Sequence, residues 1–267
     1  MLTKDEILAR AKSSLDRLPP SALALSAFTL GCASTATGAF VYRRYWRRIA
    51  NADWITPDIQ GRWLKGHVCS VGDSDNFRFY HQPGFGWNLP LKFRTVPSTA
   101  KALKDKTIHI RIAGVDAPES AHFGRPGQPY AEEALAFLRD AVLGKTVYCQ
   151  MLRRDQYGRV VAVVTLPPRL LPGSLVYGKC LSLEMLKAGW VTVYEQVNAE
   201  YGKWGKDEFL RVENEAKARR RGMWQKGTRI ETPAEFKRRH ANESTAKGQV
   251  PEDPFENSGW FRRFFRI

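Results

Sequence analysis

Five short runs of strand-favouring residues limit the fold of this chain more than any other feature of its sequence. The runs are dense in Val, Ile, Tyr and Phe and are bounded by Gly, Asp or Pro. In chain order they read GHVCSV, NFRFYH, TIHIRI, TVYCQML and RVVAVVTL. Five such strands predict a small β-barrel.

One of these runs also predicts which side chains leave the core. In TIHIRI the isoleucines at positions 108, 110 and 112 share one face of the strand, because side chains alternate along a strand. His109 and Arg111 lie on the opposite face. Arg111 is therefore expected to point away from the isoleucine row.

Three segments have helical periodicity. The first, at residues 129–144, has a stripe of Ala131, Leu135, Leu138 and Val142, and the others lie at 181–189 and 203–222. We interpret these stripes as core packing. Residues 82–106 form a long insertion between two strands. From residue 225 the chain becomes polar, which predicts a flexible tail at 225–267. For the closing WFRRFFRI, contact with a membrane surface and folding back on the domain are the alternative interpretations.

An apolar segment near the N-terminus is long enough to cross a membrane. No formal charge occurs in the 25 residues between Arg17 and Arg43. As a helix, residues 21–42 would reach roughly 33 Å, against a bilayer core of roughly 30 Å. Aromatic residues and an arginine cluster follow directly. We expect an uncleaved single-pass anchor; a cleaved signal peptide and a buried soluble helix are the alternative interpretations.

Composition indicates the kind of partner. The chain of 267 residues has a formal net charge of +15, which favours a polyanion, either nucleic acid or an acidic membrane surface. Its four cysteines lie far apart without CxxC or Cys/His spacing, which argues against a zinc site. We interpret them as buried thiols, although a disulfide pair stays open.

Three charged segments suggest chemistry: GDSDNF at 72–77, RIAGVDAPE at 111–119 and DQYGR at 155–159. Taken singly, each has an ordinary structural explanation as a turn or a strand end. In this order on a five-strand pattern, they resemble the thermonuclease family, also called staphylococcal nuclease-like or TNase-like. The resemblance covers roughly residues 66–224 and includes GKCLSLEMLKAGW and RRRGMW.

The resemblance implies a β-rich α+β fold: a five-stranded OB-fold barrel with about three helices. This domain follows the single N-terminal transmembrane helix that the apolar segment predicts. Together, the patterns and the resemblance predict a leader at 1–20, the anchor at 21–42, a basic juxtamembrane linker at 43–65, the nuclease domain at 66–224 and the tail at 225–267. A membrane span followed by this domain is similar to the membrane-anchored fungal mitochondrial endonucleases. Mitochondrial location is implied by this resemblance alone.

The resemblance also assigns catalytic roles. Arg111, Glu119 and Arg159 become the catalytic residues. An ionised Glu119 can act as general base towards water. The two arginines can make bidentate contacts to phosphate oxygens and stabilise the phosphorane-like transition state, and a lysine would lack their planar fork.

The metal and substrate positions follow in the same way. Asp75, Asp116 and the backbone carbonyl of Ala117 become Ca²⁺ ligands, in keeping with the preference of Ca²⁺ for hard oxygen donors. Tyr157 and Tyr194 become substrate-binding aromatics. The family glycine between the first two acidic residues is replaced by Ser74, which changes the expected turn.

The expected function is a membrane-anchored, calcium-dependent endonuclease that hydrolyses DNA, RNA or both. The main alternative is a catalytically silent OB-fold module that binds nucleic acid while tethered to a membrane. Such modules typically lose one or more catalytic residues, and Arg111, Glu119 and Arg159 are all present. A membrane-tethered interaction protein is a third class, but it gives no reason for carboxylates clustered beside arginines.

Overall fold

The computed structural model describes residues 19–87, 90, 92–121, 127–168, 178–227, 231–236 and 238–239, together with Thr3 and Glu6. It divides the chain into two units, Met1–Arg47 and Arg48–Ile267. The expected leader at 1–20 and tail at 225–267 lie for the most part outside the described residues.

Five strands of the second unit close into a barrel in the order β1-β2-β3-β6-β5. The pairs are antiparallel except β3 with β6, which is parallel. Two further short strands, β4 and β7, pair outside the barrel. The predicted five-stranded OB-type barrel is confirmed. The strands are β1 Trp63–Asp73, β2 Asn76–His81, β3 Ile108–Ile112, β4 Val115–Asp116, β5 Thr146–Arg154, β6 Val160–Thr165 and β7 Thr192–Val193.

Strand alternation places the core as predicted. In β3 the three isoleucines are fully buried and lie in the barrel core, whereas His109 and Arg111 are only half-buried. In β6 all six residues are buried, because helix α4 (Leu181–Ala188) packs against it. The isoleucine face of β3 is therefore the inner face, and Arg111 is on the outer one.

The three predicted helices are present as α3 (Ala131–Val142), α4, and α5 (Gly205–Ala218). The insertion contains a further short helix, α2 (Ala100–Leu103), which was not predicted. Short 3₁₀ helices are also present. The buried stripe of α3 differs in one position from the prediction: Ala134 is fully buried, and Leu135 packs at the edge of the core.

The segment expected as a linker at 43–65 is largely part of the barrel domain. Ile49 and Ile59 are buried in its core at 6% and 9% exposure. The amide of Ile49 donates to His81 Nδ1 at 3.0 Å, and the amide of Gly61 donates to the carbonyl of Met151 at 2.6 Å. The domain therefore begins at residue 48, because its core is complete only with these side chains.

The first unit contains helix α1 (Pro20–Val41), which continues into a π-helical turn at Tyr42–Trp46. No residue of α1 is buried. From Pro20 to Trp46 the helix is long and apolar enough to cross a membrane, a property that signal sequences share. Its length and position agree with the segment expected at 21–42.

The cysteines are free thiols, so no disulfide joins them. Cys149 and Cys180 are buried, as expected, and Cys69 is partly buried. The expectation is wrong for Cys32, which is exposed because it lies on α1, a helix whose residues are not buried by the described part of the chain.

Candidate active site

The turn between β1 and β2 positions the first carboxylate. Asp73 and Asn76 are paired across the hairpin, with Ser74 and Asp75 at its tip. Neither tip residue has a positive φ, so the turn accommodates serine in place of the family glycine. The Ser74 hydroxyl donates to the carbonyl of Ala131 at 3.1 Å, which fastens the turn to α3.

Arg111 joins Asp75 to Asp116. One terminal nitrogen of its guanidinium donates to Asp75 Oδ2, and the other lies 3.5 Å from Asp116 Oδ1. The side chains are 14%, 10% and 4% exposed, so the three charged groups are largely shielded from solvent. The amide of Ile112 also donates to the carbonyl of Asp75 at 2.9 Å, which fixes the turn against β3.

The electrostatics of Arg111 follow from this arrangement. Burial lowers the pKa of the guanidinium, but attraction to Asp75 and Asp116 outweighs burial and raises the pKa above its ordinary value. Arg111 is therefore a permanent cation at physiological pH.

The β4–β7 pair brings Tyr194 to the same place. Val115 pairs with Val193, and the amide of Tyr194 donates to the carbonyl of Gly114 at 3.0 Å. As a result the guanidinium of Arg111 lies 5.3 Å from the centre of the Tyr194 ring, within cation–π range.

Arg159 is held by its own hairpin between β5 and β6. Its Nε donates to Asp155 Oδ2 at 2.7 Å, and its amide donates to Asp155 Oδ1 at 2.8 Å. The guanidinium also lies 5.3 Å from the centre of the Tyr157 ring, which is 44% exposed. The DQYGR motif thus presents a fixed arginine beside an accessible aromatic ring.

Glu119 lies three residues beyond β4 and is half-buried. Its segment is fixed by hydrogen bonds to Gln128 and Asp73. Its amide donates to Gln128 Oε1 at 3.0 Å, and its carbonyl accepts from the amide of Gln128 at 2.9 Å. The hydroxyl of Ser120 donates to Asp73 Oδ1 at 2.9 Å. Asp73 therefore ties the segment of Glu119 to the turn that carries Asp75.

Two residues that the sequence analysis left without a role complete the cluster. Asn76 Nδ2 donates to Asp75 Oδ1 at 3.1 Å, and Asn76 Oδ1 lies 3.0 Å from His109 Nε2. Since the amide oxygen is an acceptor, His109 carries its proton on Nε2. Alternation in TIHIRI placed His109 on the face of Arg111, and this was the available signal.

His109 also lies in the field of both arginine sites. Burial, followed by repulsion from Arg78 and Arg159, lowers the pKa of His109 to about 4, against attraction from Asp75 and Asp155. It is therefore neutral at pH 7. The parallel register, in which Ile110 pairs with Val160, places the strand position of His109 next to that of Arg159. The two charged clusters thus belong to one side of the barrel.

The candidate metal ligands are carboxylate and carbonyl oxygens. Asp75 and Asp116 converge on one guanidinium, and Ala117, which is 5% exposed, directly follows Asp116. Groups of three or more His, Cys, Asp or Glu side chains suited to a metal are absent from the described residues. A metal here would depend on two carboxylates and main-chain oxygen.

The closed five-stranded barrel with acidic and arginine clusters on one side defines an OB-type nuclease-like domain. A family model described as "Staphylococcal nuclease homologue" matches residues 109–226. This chain belongs to the staphylococcal nuclease-like family, a class of hydrolases that act on phosphodiester bonds.

Among the relatives that the chain matches are fungal proteins named "Probable endonuclease LCL3". The protein from Schizophyllum commune is 55% identical over 93% of this chain and 87% of its own length. The protein from Candida albicans is 43% identical over 88% of this chain and 97% of its own length. The protein from Pyricularia oryzae is 46% identical over 77% of this chain and 78% of its own length.

Proposed function

We propose that this chain is a calcium-dependent endonuclease that hydrolyses phosphodiester bonds of DNA or RNA while attached to a membrane. The observation that carries the proposal is the buried Asp75–Arg111–Asp116 cluster. Two carboxylates against one guanidinium leave a net negative charge at the outer wall of the barrel. Such a charge favours a cation, and the arginine favours a phosphate.

The donor set fits Ca²⁺. The ion takes six to eight oxygen ligands in flexible geometry, and carboxylates and backbone carbonyls are its usual protein ligands. Asp75, Asp116 and the carbonyl of Ala117 would hold it, with water or substrate completing the shell. When bound, Ca²⁺ supplies positive charge that neutralises the scissile phosphate.

The reaction itself is assigned to the side chains. Glu119 takes a proton from the attacking water, whose oxygen forms the new bond to phosphorus. The scissile P–O bond breaks, and the leaving oxygen takes a proton from solvent. Arg111 and Arg159 contact the non-bridging oxygens and stabilise the charge that develops in the transition state. A guanidinium has five N–H donors, so Arg111 can donate hydrogen bonds to a phosphate while it remains paired with Asp75 and Asp116.

Tyr157 and Tyr194 are proposed as substrate contacts. Each ring lies 5.3 Å from the guanidinium of a proposed catalytic arginine. Aromatic faces bind exposed bases by stacking, and an adjacent arginine adds attraction to the phosphate. The pairs therefore combine base and backbone recognition without a sequence preference.

The test is cleavage of plasmid DNA and of a single-stranded RNA by residues 48–267, with Ca²⁺ and with EDTA. We expect cleavage with Ca²⁺ only. We also expect Glu119→Gln to lower the rate by about 10² to 10⁴-fold, because the substitution removes the base and retains the shape of the side chain.

The matched control is Glu132→Gln, which neutralises an exposed glutamate in the first turn of α3. Its rate should equal that of the unmodified protein. Cleavage that persists in EDTA, or that is equal in the Glu119→Gln variant, would overturn the mechanism. Nucleic-acid binding without any cleavage would instead identify the chain as a silent OB-fold module.

Membrane attachment is proposed through α1, on its length, its composition and the lack of buried residues. A mitochondrial location is proposed on family resemblance. Both are tested by alkaline carbonate extraction of fractionated cells: the full chain should stay in the mitochondrial membrane pellet, and residues 48–267 should be released. Release of the full chain by carbonate would exclude a membrane-spanning anchor.

A further inference from the structure

The insertion between β2 and β3 presents two exposed aromatic rings. Phe85 and Phe93 are 50% and 63% exposed, and their ring centres lie 5.8 Å apart with an edge-to-face arrangement. Gly86 has a φ of +95°, and the amides of Phe93 and Arg94 both donate to its carbonyl, at 3.0 and 2.7 Å. These backbone hydrogen bonds fix the loop in a conformation that exposes both rings. Exposure of two phenylalanine side chains to water costs free energy.

A continuous series of contacts joins this pair to the point where the chain enters the barrel domain. The guanidinium of Arg94 lies 5.9 Å from the Phe93 ring and 5.5 Å from the Trp87 ring. Trp87 contacts Tyr80 edge to face at 6.0 Å, and Arg48 lies 4.5 Å over the Tyr80 ring.

Arg48 is the first residue of the barrel unit and directly follows the segment that carries α1. Its Nη1 also donates to the carbonyl of Lys106, the last basic residue of the insertion, at 2.8 Å. Only Arg47 separates it from the candidate membrane helix, which ends at Trp46. Chain reach thus keeps Arg48 within about 7 Å of the end of that helix.

The charge of the insertion suits an anionic surface. Residues 82–106 contain five basic residues and one acidic residue. Lys92, Lys101, Lys104 and Lys106 are exposed. Exposed phenylalanines among lysines and arginines are typical of protein segments that insert into the interfacial region of an anionic bilayer.

The Asp75–Arg111–Asp116 cluster lies at the other end of β2. The insertion follows His81 at one end of β2, whereas Asn76, which pairs with Arg111, begins the same strand. Six residues of strand correspond to roughly 20 Å. A phosphate bound at this cluster therefore lies at the end of β2 that is remote from the start of the insertion.

We propose that Phe85, Phe93 and the surrounding basic residues, here called the insertion surface, dock on an anionic lipid bilayer. The docking rests on the membrane attachment proposed above and deepens it. It holds the barrel domain against the membrane at the insertion and leaves the Asp75–Arg111–Asp116 end of β2 directed away from the bilayer.

The first test is flotation of residues 48–267 with vesicles of phosphatidylcholine containing 30 mol% of an anionic lipid, on the order of the charge of cytoplasmic leaflets. This unit can be used alone because α1 contributes no residue to its core. We expect binding to anionic vesicles and much weaker binding to pure phosphatidylcholine. The double variant Phe85→Ser/Phe93→Ser should reduce the bound fraction about tenfold.

The matched control is Val197→Ser, which removes an apolar side chain that is 88% exposed elsewhere on the barrel domain. It should float like the unmodified unit. Thermal melting verifies that each variant is folded. Flotation measures lipid binding directly, so the test does not depend on nuclease activity. Equal flotation of the double variant, or no flotation of the unmodified unit, would overturn the proposal. Loss of single-stranded DNA binding in the double variant, without vesicle binding, would show a nucleic-acid surface instead.

A second test uses the full chain in anionic nanodiscs. A polarity-sensitive fluorophore is attached through Phe85→Cys or, as control, Val197→Cys, after Cys32 and Cys69 are replaced by serine. We expect a blue shift and quenching by doxyl lipids at position 85 and neither at position 197. Equal spectra at the two positions would overturn docking, even if α1 spans the bilayer and the enzyme is active.

Discussion

Asn76 links an uncharged histidine to a proposed metal ligand. It donates to Asp75 and accepts from His109, and all three lie on the side of the barrel that carries Arg111. The side-chain NH₂ and C=O of Asn76 each have a hydrogen-bond partner, so the orientation of its amide is determined. This orientation also fixes the direction of Asp75 Oδ1. We interpret Asn76 and His109 as positioning residues.

We expect Asn76→Ala and His109→Ala each to raise the Ca²⁺ concentration for half-maximal cleavage several-fold, since Asp75 loses its support. His109→Gln, whose amide can still donate, should restore much of the affinity. The double alanine variant should be no worse than Asn76→Ala, because both remove one chain of hydrogen bonds. Calcium titrations of activity and of nucleotide-analogue binding measure these effects. Additive losses in the double variant would contradict a single series of hydrogen bonds from His109 through Asn76 to Asp75.

His81 predicts an acid-sensitive stability. Burial, followed by repulsion from Arg48 and Arg62, lowers its pKa from 6.5 to about 3. Between these pH values the unfolded chain binds the proton and the folded chain does not. The contribution of His81 is therefore complete above pH 6.5 and is lost as pH falls towards 3, by at most about 1.4 kcal/mol per pH unit.

The variant His81→Asn keeps an acceptor for the amide of Ile49 and does not titrate. Urea unfolding between pH 7.5 and 4 should show a smaller loss of unfolding free energy in this variant than in the unmodified protein. Other acid-sensitive groups, His109 included, contribute equally to both proteins and cancel in the comparison. Equal pH dependence would exclude His81 as the cause.

The turn between β3 and β4 leads the chain from Arg111 on the barrel to Asp116. Gly114 has a φ of +76°, and a Cβ there would approach the Phe209 ring to 2.7 Å and the carbonyl of Glu200 to 3.0 Å. A side chain is therefore excluded by both conformation and space. This turn sends Asp116 back towards Arg111.

We expect Gly114→Ala to lower the unfolding free energy by about 2–4 kcal/mol, the sum of left-handed strain and overpacking. The control Gly144→Ala has a similar φ of +70° but nothing within 4 Å of its Cβ. It should lose only the strain, about 1 kcal/mol. Urea denaturation of both variants measures the difference, and equal losses would contradict the packing argument.

The barrel domain depends on a segment that precedes its first strand. Ile49 is 6% exposed and lies in the core, and its amide is bound by His81. A fragment from residue 48 therefore keeps the complete core, and a fragment from residue 51 does not. The boundary of the barrel domain is set by this packing rather than by the start of β1.

We expect residues 51–267 to be less stable than residues 48–267 by about 2–4 kcal/mol, as for loss of a buried isoleucine. A fragment that begins at residue 45 is the control and should match residues 48–267 within about 0.5 kcal/mol. Urea unfolding of the three fragments tests the boundary. Equal stability of the two shorter fragments would show that Ile49 is dispensable.

Strand and helix positions in this protein follow from local patterns. The alternation of TIHIRI and the stripes of the three helices depend on side-chain periodicity over a few residues, and the structure confirms these elements with small shifts of boundary. The order of the three charged motifs predicted the family. The structure places their residues at the strand ends and turns that this order indicates: Asp75, Arg111, Asp116, Glu119 and Arg159.

Barrel closure decides the contacts that no local pattern contains. Asp75 and Arg111 are 36 positions apart and meet because β2 pairs with β3. Arg159 comes beside His109 because β3 and β6 run parallel. Likewise, the burial of Ile49 and the contacts from Phe93 to Arg48 depend on which surfaces the closed barrel leaves uncovered. Periodicity shows which face a side chain occupies; cross-strand register and packing decide what that side chain meets.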